Sequence, residues 1–332
     1  MGKQDIKKED RPLPGVTLAA QVPHRGYHGD SFEGWYVRVG PFAFMYAWQD
    51  QGTLQLVGPG DRFWARSLTE PFWAWRYELG FGQGSPKWVE PSQFFHQVAQ
   101  GYQVTPTVHQ GNFAEVRWQF QIQPHYGWGQ AQATAGWLSF CPGVDPGWQI
   151  LMAHGWANGW IEWQGQRYSL EQSPAYIEKN WGHAFPRHWS WIQCNAFSNH
   201  PDLTLTAVAA RRRLFAWEES VGMIGLHHQG HLWEFAPWNA RLSWQIAPWG
   251  SWRMTGKKGH QRVEIEGICT GAGTQVFVPT SSGWHRHCRD TLQGTLRVQL
   301  WQGSRLILRA ESERAGLEVG GTDWGSPWIH NT

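Results

Sequence analysis

A period of two governs the apolar residues of this chain almost wherever they are periodic, and that restricts it to strands. Val116, Trp118, Phe120 and Ile122 alternate with Arg117, Gln119, Gln121 and Gln123, which predicts a strand with one buried face. Leu296, Val298 and Leu300 repeat the alternation. Gln302-Gly303-Ser304 then turns the chain and Leu306 to Arg309 return, the pattern of a hairpin with a glycine-containing loop. Trp163-Gln164-Gly165-Gln166 marks another hairpin, and Gly40-Pro41 separates strand-like runs over residues 35–39 and 42–48. Thirty-nine glycines and 19 prolines interrupt any long helix. The expected fold class is therefore all-β, with antiparallel barrels or sandwiches and little helix.

A chain of 332 residues suits two such units in tandem. The boundary is placed near Phe185-Pro186, giving an N-terminal arm over 1–15, one β domain over 16–185 and a second over 186–332. The two halves share no motif visible in the sequence, so this division rests on length. The first eleven residues carry seven charges and lack the apolar stretch of a secretory leader; they are expected to be a dispensable arm.

Tryptophan is in excess, at 26 residues, while Asp, Glu, Lys and Arg make up 16% of the chain against a usual ~25%. Twenty-eight basic and 26 acidic residues are too balanced for a phosphate-binding footprint, so nucleic acid is not an expected partner. Cys141, Cys194, Cys269 and Cys288 form no C-x-x-C pair and are expected to be reduced thiols. No apolar run approaches the ~20 residues of a spanning helix, so any membrane contact is expected to be peripheral.

Several segments set a lone carboxyl among aromatics: Phe32-Glu33-Gly34-Trp35-Tyr36, Trp88-Val89-Glu90-Pro91, and Tyr176-Ile177-Glu178-Lys179-Asn180-Trp181-Gly182. An apolar setting disfavours the carboxylate and makes such a group a usable acid near neutrality. The alternative is that each Glu pairs with a neighbouring Arg or caps an amide. Tyr176 and Asn180 lie two residues either side of Glu178 and so share its strand face, either as proton-handling neighbours or as a buried polar cluster that orders the strand.

Together these segments resemble the tocopherol cyclases of cyanobacteria and plastids. The matching stretches are Gly26-Tyr27-His28, Ser31 to Tyr36, Trp88 to Gln93, Tyr176 to Gly182, Phe185-Pro186 leading into Trp189, Trp191 and Gln193-Cys194-Asn195, then Arg289 to Leu292 and Leu317 to Gly321. The segment around Glu178 is also similar to the Y-x-D-x-x-W-G of carotenoid 1,2-hydratases, whose two barrels are lipocalin-like. His183, where a small residue is expected, departs from the pattern.

The resemblance implies two lipocalin-like barrels and closure of a chromanol ring on a phytyl benzoquinol, without redox change, cofactor or metal. An acid protonates the first prenyl double bond, and a phenolic oxygen of the same molecule attacks the resulting tertiary cation. Water must be excluded, or it captures the cation. Glu178 is assigned as the acid with Tyr176 beside it. Glu33, Trp35, Asn180, Trp181, Trp189, Gln193 and Asn195 are assigned to substrate binding, with Glu33 the second candidate acid. A prenyl-lipid carrier without catalysis and an isoprenoid hydratase are the rival functions. The lipid substrate implies attachment at the thylakoid or inner membrane, on the cytoplasmic side.

The histidines offer weaker signals. His285, His287 and Cys288 suggest an exposed hairpin tip more than a metal cluster, and His227, His228 and His231 receive the same reading. Arg211-Arg212-Arg213 is a solvated edge or a contact for anionic headgroups.

Overall fold

The computed structural model describes residues 32–49, 52–68, 73–76, 79–82, 87–88, 96–99, 101–104, 107–129, 133–136, 144–214, 217–322 and 324–331. The arm over 1–15, the segments Gly26 to Ser31 and Val89 to Gln93, Cys141 and the side chain of Glu33 lie outside the described residues.

Strands dominate, as the alternation requires. The first fourteen are β1 (Phe32–Val39), β2 (Phe42–Trp48), β3 (Gly52–Gly58), β4 (Arg62–Leu68), β5 (Trp73–Arg76), β6 (Leu79–Gly82), β7 (Lys87–Trp88), β8 (His96–Ala99), β9 (Tyr102–Val104), β10 (Val108–Asn112), β11 (Val116–Tyr126), β12 (Val144–Asp145), β13 (Gly147–Trp163) and β14 (Gln166–Gly182). The rest are β15 (His188–Cys194), β16 (Thr204–Leu214), β17 (Trp217–His228), β18 (His231–Phe235), β19 (Arg241–Ile246), β20 (Ser251–Lys258), β21 (Gln261–Ile268), β22 (Thr274–Thr280), β23 (Gly283–Gln302), β24 (Arg305–Gly321) and β25 (Trp328–His330). Every pairing among the described residues is antiparallel, and a turn of 3-10 helix at Pro59–Asp61 joins β3 to β4.

Local sequence explains the hairpins. Gln164 and Gly165 sit at φ 54° and 76°, the two positive values a tight turn needs, and they join β13 to β14. In β11 the apolar residues Val116, Trp118, Phe120 and Ile122 are buried and the residues between them exposed.

The strands form two curled sheets whose orders repeat one another. The first runs β4-β3-β2-β1-β14-β13-β11-β10-β9 and continues through β8, β5, β6 and β7. The second runs β18-β17-β16-β15-β24-β23-β21-β20-β19 and continues to β25, with β12 added on β16 and β22 on β23. In each, a long bulged hairpin, β13–β14 or β23–β24, carries the opening strand of its sheet, β1 or β15, on its second arm. This repeat of topology has no counterpart in the sequence of the two halves.

Three cores follow from the two faces of each sheet. The inner face of the first sheet holds Trp35, Val37, Phe44, Trp118, Phe120 and Ile177 among others, and that of the second holds Ile192, Leu205, Ile224, Trp252, Val298 and Leu317. The third core lies between the sheets and includes Tyr36, Ile150, Tyr176, Trp189, Trp191 and Val276. Polar ties pin this seam. The Gln55 side chain takes the place of a strand partner for Phe277, donating to its carbonyl and accepting from its amide, both at 2.8 Å. Thr204 Oγ1 donates to the Ala153 carbonyl at 2.9 Å, and Asp61 accepts from Thr291 Oγ1 at 2.8 and 3.0 Å.

Candidate active site

The seam opens into a cavity between the two sheets. Its wall is largely apolar and aromatic, with Phe32, Tyr36, Trp148, Phe185, Trp189 and Trp191 among its lining residues. The apolar, aromatic wall suits a lipid better than a polar metabolite. Pro237, Arg212 and the half-exposed Trp238 belong to its outer part.

Glu178 stands in this wall. The period of two puts Tyr176, Glu178 and Asn180 on the seam face of β14, while Ile177 turns into the first sheet's own core. Four donors converge on the buried carboxyl. Tyr176 Oη donates to Oε2 at 2.6 Å, Trp148 Nε1 to Oε2 at 2.9 Å, Trp191 Nε1 to Oε2 at 3.2 Å and Asn180 Nδ2 to Oε1 at 3.1 Å. Burial raises its pKa, and the four hydrogen bonds oppose that rise. The two effects together make a carboxyl that is desolvated yet leaves a stabilised anion once its proton is gone. The Trp191 and Tyr36 rings meet edge to face with centroids 5.1 Å apart, and Tyr176 lies 6.0 Å from Trp191, so aromatic faces surround the acid.

A second buried carboxyl lines the same cavity from the other sheet. Glu318 on β24 accepts a hydrogen bond from Trp189 Nε1. Burial pushes its pKa up to about 7, and the nearby charge of Glu178 acts the same way. Asp290, directly across from it on β23, is buried with neither carboxyl oxygen in a hydrogen bond of ordinary geometry, and burial together with Glu318 and Asp61 holds its pKa well above the usual range. The hydroxyl of Tyr36, also on the cavity wall, is buried and without a hydrogen-bond partner.

The other expected residues divide by where their strands meet the cavity. Trp189 and Asn180 line it. Trp35 borders it, but its ring packs in the first core, where Lys179 Nζ lies 5.3 Å from it and 5.4 Å from Trp181. Trp181 is not on the wall. Gln193 and Asn195 share the seam face of Trp189 and Trp191, but there β15 has run past the cavity. Gln193 binds Arg38, and Asn195 Nδ2 donates to the Ala175 carbonyl at 2.9 Å. Glu33 is placed by its backbone alone, opposite Trp181 and Trp48. Three participants were given no role in the site from the sequence. Trp148 reaches Glu178 only through the β13–β14 register, in which it faces Asn180; Trp191 crosses from the other sheet; and Glu318 lies 140 positions along the chain.

The histidine readings need one correction. His285 and His287 do flank the β22–β23 turn, and His228 and His231 the β17–β18 turn. His227 is instead buried in the seam against Tyr126, Trp128 and His154, accepting from the Gly129 amide at 3.1 Å, because it faces the opposite way from its neighbour. Among the described residues no three His, Cys, Asp or Glu side chains are grouped to hold a metal ion. His183 is exposed at the bend after β14, and Arg212 pairs with Glu219 at 2.9 Å.

Two curled antiparallel sheets enclosing an acid-bearing apolar cavity define a lipocalin-like protein of the two-unit kind. A solved structure from Nitrosomonas europaea described as "a putative AttH" has this fold: it is 13% identical, with a TM-score of 0.50 over 93% of this chain and 99% of its own. Residues 29–321 match the family model described as tocopherol cyclase-like. The "Tocopherol cyclase, chloroplastic" of Zea mays is 37% identical over 94% of this chain and 80% of its own length. A rice protein (Oryza sativa subsp. japonica) named "Probable tocopherol cyclase, chloroplastic" is 37% identical over 95% of this chain and 81% of its own. The chain belongs to the tocopherol cyclase-like family.

Proposed function

We propose that this chain is a tocopherol cyclase, closing the chromanol ring of a phytyl benzoquinol with Glu178 as the proton donor. The observation that carries this reading is the Glu178 carboxyl: buried, at the wall of an aromatic cavity, with four donors on its oxygens. An alkene is a very weak base, so its acid must leave a well-stabilised anion, and two indole N–H groups, which can only donate, serve that end. Desolvation keeps the proton available and keeps water from the tertiary cation. Aromatic faces at the cation's position contribute roughly 1–2 kcal/mol each. The phenolic oxygen then attacks within the same bound molecule, which turns ring closure into a positioned intramolecular step.

The two sheets act as two domains joined at residues 183–187, and substrate enters from the seam. Its prenyl tail belongs to a bilayer, so the protein docks peripherally on the thylakoid or inner membrane. Exposed indoles support that: Trp217 is 77% and Trp238 47% exposed. Among the described residues no helix is long and apolar enough to cross a membrane. Flotation with vesicles tests the docking, and protein left wholly at the bottom of the gradient rules it out. Incubating the purified chain with phytyl benzoquinol and identifying the product tests the chemistry. A chromanol is expected; a hydrated side chain means a hydratase, and unchanged quinol a carrier.

A further inference from the structure

The repeat in the fold relates two positions that the sequence keeps apart. In the first sheet, Glu178 of β14 pairs across the strands with Tyr36 of β1. In the second, Glu318 of β24 pairs with Trp191 of β15. By strand order β24 is the counterpart of β14, and β15 of β1. Each sheet thus presents such a pair of a carboxyl and an aromatic ring to the seam, and the two pairs face each other across one cavity.

The sets are also interlocked. Trp191, the cross-strand neighbour of Glu318, donates a hydrogen bond from its indole N–H to Glu178. Tyr36, the neighbour of Glu178, lies in the field of Glu318 and Asp290 and has a buried hydroxyl with no partner. A buried hydroxyl without a hydrogen bond is costly, and in a cavity wall it marks where a ligand oxygen belongs.

Ring closure makes a second demand, for a base. When the phenolic oxygen bonds to the tertiary carbon it must lose its own proton, at a moment when Glu178 has just become an anion held by four donors. We propose that Glu318 is the catalytic base of this cavity, taking the phenolic proton as the carbon–oxygen bond forms, with the Tyr36 hydroxyl binding the same oxygen. The proposal rests on the cyclase reading above.

The proton balance closes. Glu178 gives one proton to the alkene carbon nearer the ring; the oxygen–carbon bond forms at the tertiary carbon; the phenolic O–H bond breaks and its proton passes to Glu318. The product is an isomer of the substrate, and one proton exchanged from Glu318 to Glu178 through the cavity restores the start. The groups facing Glu318 are Asp290 and Cys288 on β23, Glu178 on β14, and the Trp189 indole on β15. Asp61 and Arg38 act on it through Asp290.

The test is the pH dependence of kcat/KM for chromanol formation from phytyl benzoquinol by the full chain, in wild type, Glu318→Gln and Glu318→Asp. Wild type should fall on both sides of an optimum, because one carboxyl must be ionised and the other protonated. Glu318→Gln should lose ~10²- to 10⁴-fold in kcat, still bind quinol by tryptophan quenching, and lose the acid-side fall while keeping the alkaline one. Glu318→Asp should keep part of the activity and move the acid-side fall to lower pH. Loss of the alkaline fall instead would make Glu318 the donor and overturn the proposal, as would wild-type kcat in Glu318→Gln or an unmoved acid side in Glu318→Asp. A wild-type protein that forms no chromanol sinks the cyclase reading itself, and is told apart from the other outcomes by the product alone.

Discussion

Arg38 of the first sheet and Gln193 of the second are locked together in the seam: one guanidinium nitrogen, Nη1, donates to the Gln193 side-chain oxygen at 2.8 Å and to its carbonyl at 2.9 Å. Nη2 donates to the Arg314 carbonyl, and the arginine is 1% exposed. Replacing it removes the charge and strands its acceptors on the second sheet, the Gln193 side chain and carbonyl and the Arg314 carbonyl. Arg38→Met should therefore destabilise the protein by about 3 kcal/mol, measured as a lower urea midpoint. An unchanged midpoint would mean that the lock carries no net stability.

Glu178→Gln keeps the size of the side chain and removes the transferable proton. Turnover should fall by ~10²- to 10⁴-fold with quinol binding retained, and Glu178→Asp should recover part of the loss. Wild-type turnover in deuterated water should place deuterium on the carbon beside the new ether centre. Full activity of Glu178→Gln would move the acid elsewhere.

Tyr176 gives Glu178 its shortest hydrogen bond, at 2.6 Å, and that bond lowers the carboxyl's pKa against the rise caused by burial. Tyr176→Phe should raise that pKa further. Because the acid must hold its proton to work, the alkaline fall of the pH–rate profile should move to higher pH, while kcat drops about tenfold with the loss of one anion-stabilising bond. A shift to lower pH would contradict this account.

Gly320 faces Trp189 across β24 and β15, and a Cβ there would overlap the indole ring. Gly320→Ala should push Trp189 off Glu318 and narrow the cavity. The expected result is at least a tenfold loss of kcat/KM with a stability cost of about 1–3 kcal/mol, read from kinetics and thermal melting on the same preparation.

Acid should weaken the fold through histidines buried as neutral rings. Burial lowers His109 and His227 to about 3 and His154 to about 4, against 6.5 when exposed. Below pH 6.5 the unfolded chain binds protons that the folded chain refuses, so stability falls as pH falls and levels off only near the folded values. His109 alone should account for about 2 kcal/mol between pH 7 and pH 5. Urea midpoints at the two pH values should converge by that amount in His109→Phe, and an equal gap in wild type and variant would refute the assignment.

Much of the fold is written locally. The alternation in β11 and the Gln164-Gly165 turn depend on residues within a few positions of each other, and so does the shared face of Tyr176, Glu178 and Asn180. What escaped was non-local. Trp148 meets Glu178 only because β13 and β14 pair in a bulged register, and Gln193 and Asn195 point the expected way but beyond the end of the cavity. The repeat of the sheets stays hidden because strand order is a property of pairing, which different residues satisfy equally well. His227 misled for a related reason: adjacent histidines in a strand face opposite ways, and the sequence does not say which face the second sheet covers.

Because the cavity lies between the sheets, its chemistry depends on the boundary they share. Each sheet has a core of its own, and the seam holds a third, broken by the cavity and pinned by ties such as Arg38–Gln193, Gln55–Phe277 and Thr204–Ala153. On warming, the halves can part slightly while both keep their strands. Water then reaches Glu178, and the cation meets a competing nucleophile. Failure should come in a fixed order: hydrated by-product first, silence next, and loss of the β-sheet signal last.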